Sequence, residues 1–246
     1  MNINHYEKIV LSQFLQKRKE HPEESGRKVP IDTNQLATGG IKVVDAAVMV
    51  FDIAGSKKAL EDLGNKKYIE WIGMALHLFF HCVDDYQGVI DKYTGDGAMV
   101  SFSKGNSNER CSNALDCACK ISEILKKILN PLYYKKQFIP MKLRIGIDFG
   151  TIRIEKVGKK GKSHLIIIGG AANYSKLLED EGRKLKFSQN TTICFGYDVL
   201  YNLSKKDVTG SHGAQLYRDI GHFSGNSEID GSSPYKIYEY TGRFIN

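Results

Sequence analysis

No CxxC pair and no CxxH tract occurs in this 246-residue chain, and its His77 and His81, four apart on one helical stretch, have core residues as neighbours, which argues against a structural zinc site. The five cysteines (Cys82, Cys111, Cys117, Cys119 and Cys194) are an odd number, unsuited to a disulfide-stapled secreted scaffold. Set among apolar or helical neighbours, they read as reduced core thiols of a cytoplasmic protein. The start, MNINHYEKIV, lacks the apolar run of a signal peptide. The most apolar stretch, residues 71–83, is too short to span a bilayer and contains His77 and His81. Helix-turn-helix, zinc-finger and RNP-type aromatic patterns are missing, as is any repeat at fixed period. A soluble chain with neither a membrane nor a nucleic-acid partner is expected.

What is present is ordinary globular material, 41% apolar and 26% charged. A chain of this length buries roughly 70% of its unfolded surface. It has room for one large domain or two small ones at about 150 residues each. Lysine and arginine number 35 against 28 acidic residues, a net charge of +7 that favours an anionic partner. The basic run holding Lys156, Lys159, Lys160 and Lys162 reads as a solvated hairpin tip. Residues 1–40 are charged and weakly apolar and read as an N-terminal extension or linker, with a peripheral helix packed on the core as the alternative. The domain proper is placed at residues 41–246.

Within that domain, VVDAAVMVFDI predicts a buried strand over 43–53. SKKALEDL and the stretch carrying Tyr68, Ile69, Ile72, Leu76, Phe79, Phe80 and Val83 predict helices. Two short strands joined by TGDG form a hairpin. Residues 107–130 predict a helix ended by Asn130-Pro131. LRIGIDFGTIRIEKVG predicts two strands around Phe149-Gly150, and HLIII a strand leading into a Gly-initiated helix. A strand (TTICF), a short helix and two late strands follow, with residues 204–234 read largely as loops. The order predicts an α+β fold of the split-βαβ kind, one layer of helices on a mainly antiparallel sheet.

Three segments carry chemistry. In Phe51-Asp52-Ile53-Ala54-Gly55-Ser56 a carboxylate ends a buried strand where a Gly-Ser turn opens a helix. Helix-start N–H groups favour phosphate, although an Asp there is more often a cap. In Lys92-Tyr93-Thr94-Gly95-Asp96-Gly97 an acidic residue sits at a hairpin tip, where Asp-Gly is also plain turn chemistry. Two such carboxylates at one sheet edge suit a pair of hard divalent cations. The third segment, Gly169 through Glu179, opens a helix with small residues and sets Asn173 and Lys176 about one turn apart. The remaining histidines show no ligand spacing.

In order and spacing, FDIAGS, KYTGDGAMVSF, LRIGIDFGTIRIEKVG and IIIGGAANYSKLLE resemble the catalytic domain of class III nucleotide cyclases over roughly residues 43–203. The resemblance implies a ferredoxin-like split-βαβ sheet, a homodimer with composite active sites, and conversion of a nucleoside triphosphate to its 3′,5′-cyclic monophosphate with Mg²⁺ or Mn²⁺, two per site. It implies Asp52 and Asp96 as metal ligands, with the Ile53 carbonyl completing one shell. Ala54, Gly55 and Ser56 fall on the phosphate turn, Lys92 on the base reader, and Asn173 on the ribose-orienting residue supplied by the partner subunit.

Two positions depart from that pattern. The family's transition-state arginine falls on Leu177, so Lys176 is the expected stand-in, with Arg183 and Arg144 as weaker candidates. Ile166 stands where adenylyl cyclases place a polar acceptor for the adenine amino group, which speaks against plain ATP specificity. The chain is therefore most similar to the bacterial pyrimidine cyclases of the Pycsar anti-phage system. That likeness implies UTP as substrate and cUMP as a second messenger. Cytidylate or adenylate cyclisation, or an inactive nucleotide-sensing relative, remain alternatives.

Overall fold

The computed structural model describes residues 3–14, 40–159, 162–187, 190–210, 213–223 and 234–242. Strand β1 (Ile41–Ile53) is its organising element. It pairs antiparallel along its whole length with β4 (Leu143–Lys159), and its second half pairs with β3 (Gly97–Phe102). Ala47, Met49, Phe51 and Ile53 enter one apolar core, while Ala46, Val48 and Val50 enter another. A strand covered on both faces has no use for polar alternation, which explains the continuous apolar run.

Around this pair lies a sheet ordered β2-β3-β1-β4-β6-β8-β7, with β5 also pairing β4. The added strands are β2 (Val89–Tyr93), β5 (Lys162–Gly169), β6 (Thr191–Gly196), β7 (Tyr217–Phe223) and β8 (Tyr235–Tyr240). The β4–β6 pair is parallel and the other named pairs are antiparallel. The expected α+β fold with a mainly antiparallel sheet is observed.

Most helices pack on the first face. Helix α1 (Ile3–Phe14) sends Tyr6 into the core, where its hydroxyl donates to Asp85 Oδ2 at 2.6 Å. Helix α2 (Ser56–Asp85) buries Trp71, Met74, Ala75, Leu78, Phe79, Cys82 and Val83, an i, i+3, i+4 stripe that leaves Ile69 exposed. Helix α3 (Ser107–Ile124) opens with an Asn106/Glu109 capping box. A π-helical turn (Leu125–Leu129), α4 (Asn130–Lys135), α6 (Tyr197–Asn202) and α7 (Lys205–Val208) follow.

Three expectations are corrected. Helices occupy both faces, because α5 (Gly170–Glu181) packs Ala171 and Ala172 on the second core rather than joining the first layer. LRIGIDFGTIRIEKVG is one strand, since β1 is long enough to offer a ladder partner on both sides of Phe149-Gly150. Asn130-Pro131 does not end the helical run: Pro131 falls in the first turn of α4, where a missing N–H costs little, and Asn130 is held by paired bonds to Met141. The two helices expected between residues 56 and 85 are present, meeting at a break at Gly64, whose φ of 70° is not helical. All five cysteines are free. Residues 15–39 of the expected extension, and 160–161 of the basic tip, lie outside the described residues.

The alternation of β4 fixes how α5 sits. Leu143, Ile145 and Ile147 enter the first core, so Arg144, Gly146 and Asp148 face α5. A Cβ on Gly146 would meet Ser175 O at 2.1 Å and Glu179 N at 2.3 Å. Only glycine lets the helix backbone come this close. Gly146→Ala is expected to destabilise by about 1–3 kcal/mol or more and to shift α5, read by urea unfolding and by amide exchange along residues 170–181.

Asp148 is buried and accepts the Tyr235 hydroxyl at 2.5 Å. Burial pushes its carboxyl up to about 7, against the pull of the Tyr235 and Phe149 donors. The folded protein therefore holds a proton that the unfolded chain releases near pH 4, so this group's stabilisation is lost as pH rises from about 4 to 7. Asp148→Asn removes that loss. Its melting temperature relative to wild type is expected to rise across this window, measured by thermal scans at pH 4, 5, 6 and 7.

Candidate active site

At the end of β1, Asp52 lies opposite Gly97 on one side and Arg144 on the other. Gly97 has no room for a Cβ, because Phe51 O would stand 2.0 Å from it. The β2–β3 tip is thus pressed against the β1 end, with Asp96 beside Asp52. Thr94 N–H closes that tip by donating to Gly97 O at 2.9 Å. Beyond Asp52, Ile53 is buried, Ala54 N–H donates to Lys142 O at 2.9 Å, and Gly55 takes a left-handed φ of 77° as the cap of α2. The turn then returns Ser56, whose Oγ donates to Asp96 Oδ2.

A chain of charges runs from this corner into α5. Arg144 donates from one nitrogen to Asp52 Oδ2 at 2.6 Å and from Nε to Glu179 Oε1 at 2.7 Å. The side chain of Glu179 is 0% exposed, that of Arg144 12% and that of Asp52 18%. The second Glu179 oxygen accepts from Lys176 Nζ, which also meets Asp180 at 3.4 Å. Burial, then the charges of Asp96 and Glu179, lift the Asp52 carboxyl above its usual range, while Arg144 opposes this. Burial raises the Tyr68 hydroxyl as well, as does the Asp96 charge, which places Tyr68 beside the same corner.

The expected site residues fall into three groups. Asp52, Ile53, Ala54, Gly55, Ser56 and Asp96 are brought together. Lys92 is exposed on β2, and Ile166 is half-buried on β5, a strand that lies against β2. Asn173 and Leu177 are exposed on α5, and Lys176 is engaged by the carboxylates of its own helix. Arg144, ranked below Lys176 from sequence, is the cation in direct contact with Asp52. Glu179 and Tyr68 were not singled out at all. The polar side of the β4 alternation is the one local signal that sets Arg144 on the face of α5.

Two carboxylates and a strand-end carbonyl form an oxygen-only donor set, and the repulsion that adds to burial in lifting Asp52 is what a cation would relieve. These residues fit Mg²⁺ or Mn²⁺, which complete their shells with water and phosphate oxygens. Among the described residues no group of three or more His, Cys, Asp or Glu side chains is gathered to hold a metal ion.

No family model matches the chain. It is 26% identical over 222 residues to a uridylate cyclase from Rhodovulum, covering 87% of this chain and 90% of that protein. Against a uridylate cyclase from Burkholderia cepacia it is 33% identical over 139 residues, 54% and 58% of the two chains. The adenylyl cyclase CyaB from P. aeruginosa superposes with a TM-score of 0.68 at 21% identity, covering 82% of this chain and 96% of its own. The fold is that of the class III cyclases, and the sequence is most like uridylate cyclases. The guanylate cyclase domain from Catenaria anguillulae shares this cyclase fold at a TM-score of 0.61 and 13% identity, over 82% and 99% of the two chains. No helix among the described residues is long and apolar enough to cross a membrane.

The two cations that touch Glu179 differ in burial, and so in worth. Arg144→Ala strands buried Glu179 with a single half-exposed partner, and a loss of about 3–5 kcal/mol is expected. Lys176→Ala removes a partly exposed pair and is expected to cost within about 1 kcal/mol. Urea unfolding of both variants checks the contrast.

Proposed function

We propose that this chain is a nucleotide cyclase, a phosphorus–oxygen lyase that converts UTP to 3′,5′-cyclic UMP and pyrophosphate. The observation that carries the reading is the β2–β3 tip pressed on the β1 end, which pairs Asp96 with Asp52 beside the Ala54-Gly55-Ser56 turn. The choice of UTP rests on the likeness to uridylate cyclases and on the apolar Ile166.

In this reading Asp52, Asp96 and the Ile53 carbonyl hold two divalent ions. Bound there, such ions supply a lowered pKa at the ribose 3′-hydroxyl and neutralisation of triphosphate charge. Past Ala54, whose N–H is committed to Lys142 O, the Gly55-Ser56 turn presents the helix-start N–H groups of α2 to the β- and γ-phosphates. Asn173 of a second copy orients the ribose, and Lys92 donates to a base carbonyl. The 3′-oxygen attacks the α-phosphorus in line. The new O3′–P bond forms as the bond to the β-phosphate oxygen breaks, the hydroxyl proton passes to solvent, and pyrophosphate leaves. Most of the rate enhancement is positioning and charge stabilisation. The protein acts as a cytoplasmic homodimer and as a second-messenger synthase in antiviral defence.

One observation favours a second reading, a nucleotide-binding relative without turnover. Leu177 stands exposed where the family carries its transition-state arginine, and Lys176 is held by Glu179. Incubating the protein with Mn²⁺ and each of ATP, GTP, CTP and UTP, with products resolved by mass, separates the two. Cyclic UMP as the main product is expected. A different cyclic nucleotide would displace UTP, and no product at all would establish the second reading. Asp96→Ala is expected to stay folded and to fall below a few per cent of wild-type turnover.

A further inference from the structure

The break in α2 bears on the corner at Asp52 and Asp96. At Gly64 the backbone turns to φ 70° and ψ 162°, and a Cβ there would meet nothing within 4 Å. The glycine therefore serves this conformation rather than close packing. Tyr68 is twelve residues beyond Ser56 (68 − 56), and on an unbroken helix it would stand about 18 Å along the axis. After the break its hydroxyl comes instead within hydrogen-bonding reach of the Ser56 side chain and feels the charge of Asp96.

The ring rests on a fixed neighbour. Tyr68 and Trp71 have centroids 5.8 Å apart, tilted by 34°. Trp71 is buried, donates from Nε1 to Ile139 O at 3.0 Å, and its carbonyl accepts the Tyr133 hydroxyl at 2.6 Å. Tyr68, Ser56, Asp52 and Asp96 are all half-buried, so the corner they form is open to solvent.

Proton counting gives the direction of the bonds. A serine hydroxyl has one proton, and that of Ser56 is committed to Asp96 Oδ2. Toward Tyr68 it has only lone pairs to offer, so Tyr68 is the donor. Burial and the Asp96 charge raise the Tyr68 hydroxyl, with Ser56 opposing, which keeps its proton in place at neutral pH. Asp52 is held in a parallel way, by Arg144 on Oδ2 at 2.6 Å. Each carboxylate of the corner thus has one oxygen fixed by a protein donor, and its other oxygen is the one to meet a cation.

We propose that Tyr68 is a positioning residue for the cation site: it donates to Ser56 Oγ, and Ser56, held by that bond, fixes the Asp96 carboxylate in the orientation that receives a divalent ion. The inference rests on the reading of Asp52 and Asp96 as metal ligands and deepens it.

The test is the affinity of the nucleotide-free full chain for Mn²⁺ alone, read from the electron paramagnetic resonance signal of the free ion. Tyr68→Phe removes one oxygen and keeps the ring on Trp71, so it is expected to melt with wild type. Ser56→Ala is expected to weaken Mn²⁺ binding roughly tenfold and Tyr68→Phe about three- to tenfold. Because Tyr68 acts through Ser56, the double variant is expected to bind within about twofold of Ser56→Ala. A merely structural role for Tyr68 would not produce that non-additivity. Mn²⁺ affinity unchanged in Tyr68→Phe would overturn the proposal, as would single effects that add in full. Failure of wild type to bind Mn²⁺ at millimolar concentration would remove the cation site itself, and the proposal with it. The expected pattern in a protein that forms no cyclic nucleotide would uphold the role of Tyr68 and remove only the cyclase reading.

Discussion

The guanidinium of Arg144 holds three parts of the molecule in register. It bonds Asp52 at the end of β1 and Glu179 on α5 from the start of β4, so the sheet's central pair and the helix on its second face share one buried cation. Taking these charges out of water is costly unless each is answered. Here a planar donor fork meets two carboxylates, and Lys176 meets what remains of Glu179. The arrangement also has a chemical consequence. The carboxylate expected to hold metal is already tied to a fixed cation, so its orientation is set before any ligand arrives.

This register depends in turn on the absence of a side chain. Gly146 stands one strand repeat from Arg144 on the same face, and α5 lies directly on it. A longer residue there would lift the helix and lengthen the reach from Arg144 to Glu179. The pocket corner uses the same device a second time. Gly97 allows the β2–β3 tip to close on Phe51 O, which keeps Asp96 and Asp52 together. Both glycines serve close approach.

The composite character of the expected site follows from what faces outward. Asp52, Asp96 and Ser56 are gathered at one corner, whereas Asn173 and Leu177 are exposed on α5. A second copy is the means by which such separated groups would meet, and the two apolar cores on opposite faces of β1 make a platform stiff enough to present both halves.

Local pattern was enough for the strand ending in Asp52, the TGDG hairpin, the Gly-opened helix and the α+β class, because each is written in neighbouring residues: an apolar run, turn chemistry, small residues before a helical period. It misplaced α5 on the sheet, divided β4 at Phe149-Gly150 and stopped a helix at Pro131. In those cases the outcome lay with distant partners: a second apolar face on β1, a long ladder mate, and a bond pair from Asn130 to Met141. The prominence of Arg144 over Lys176 was likewise undecidable from spacing, since both lie near acidic residues in sequence order. The sequence by itself determined which groups could do chemistry and on which kind of element each sits. Only the tertiary structure decided which of them touch, because hydrogen bonds and ion pairs between residues 92 and 35 positions apart depend on register and helix approach, neither of which has a local signature.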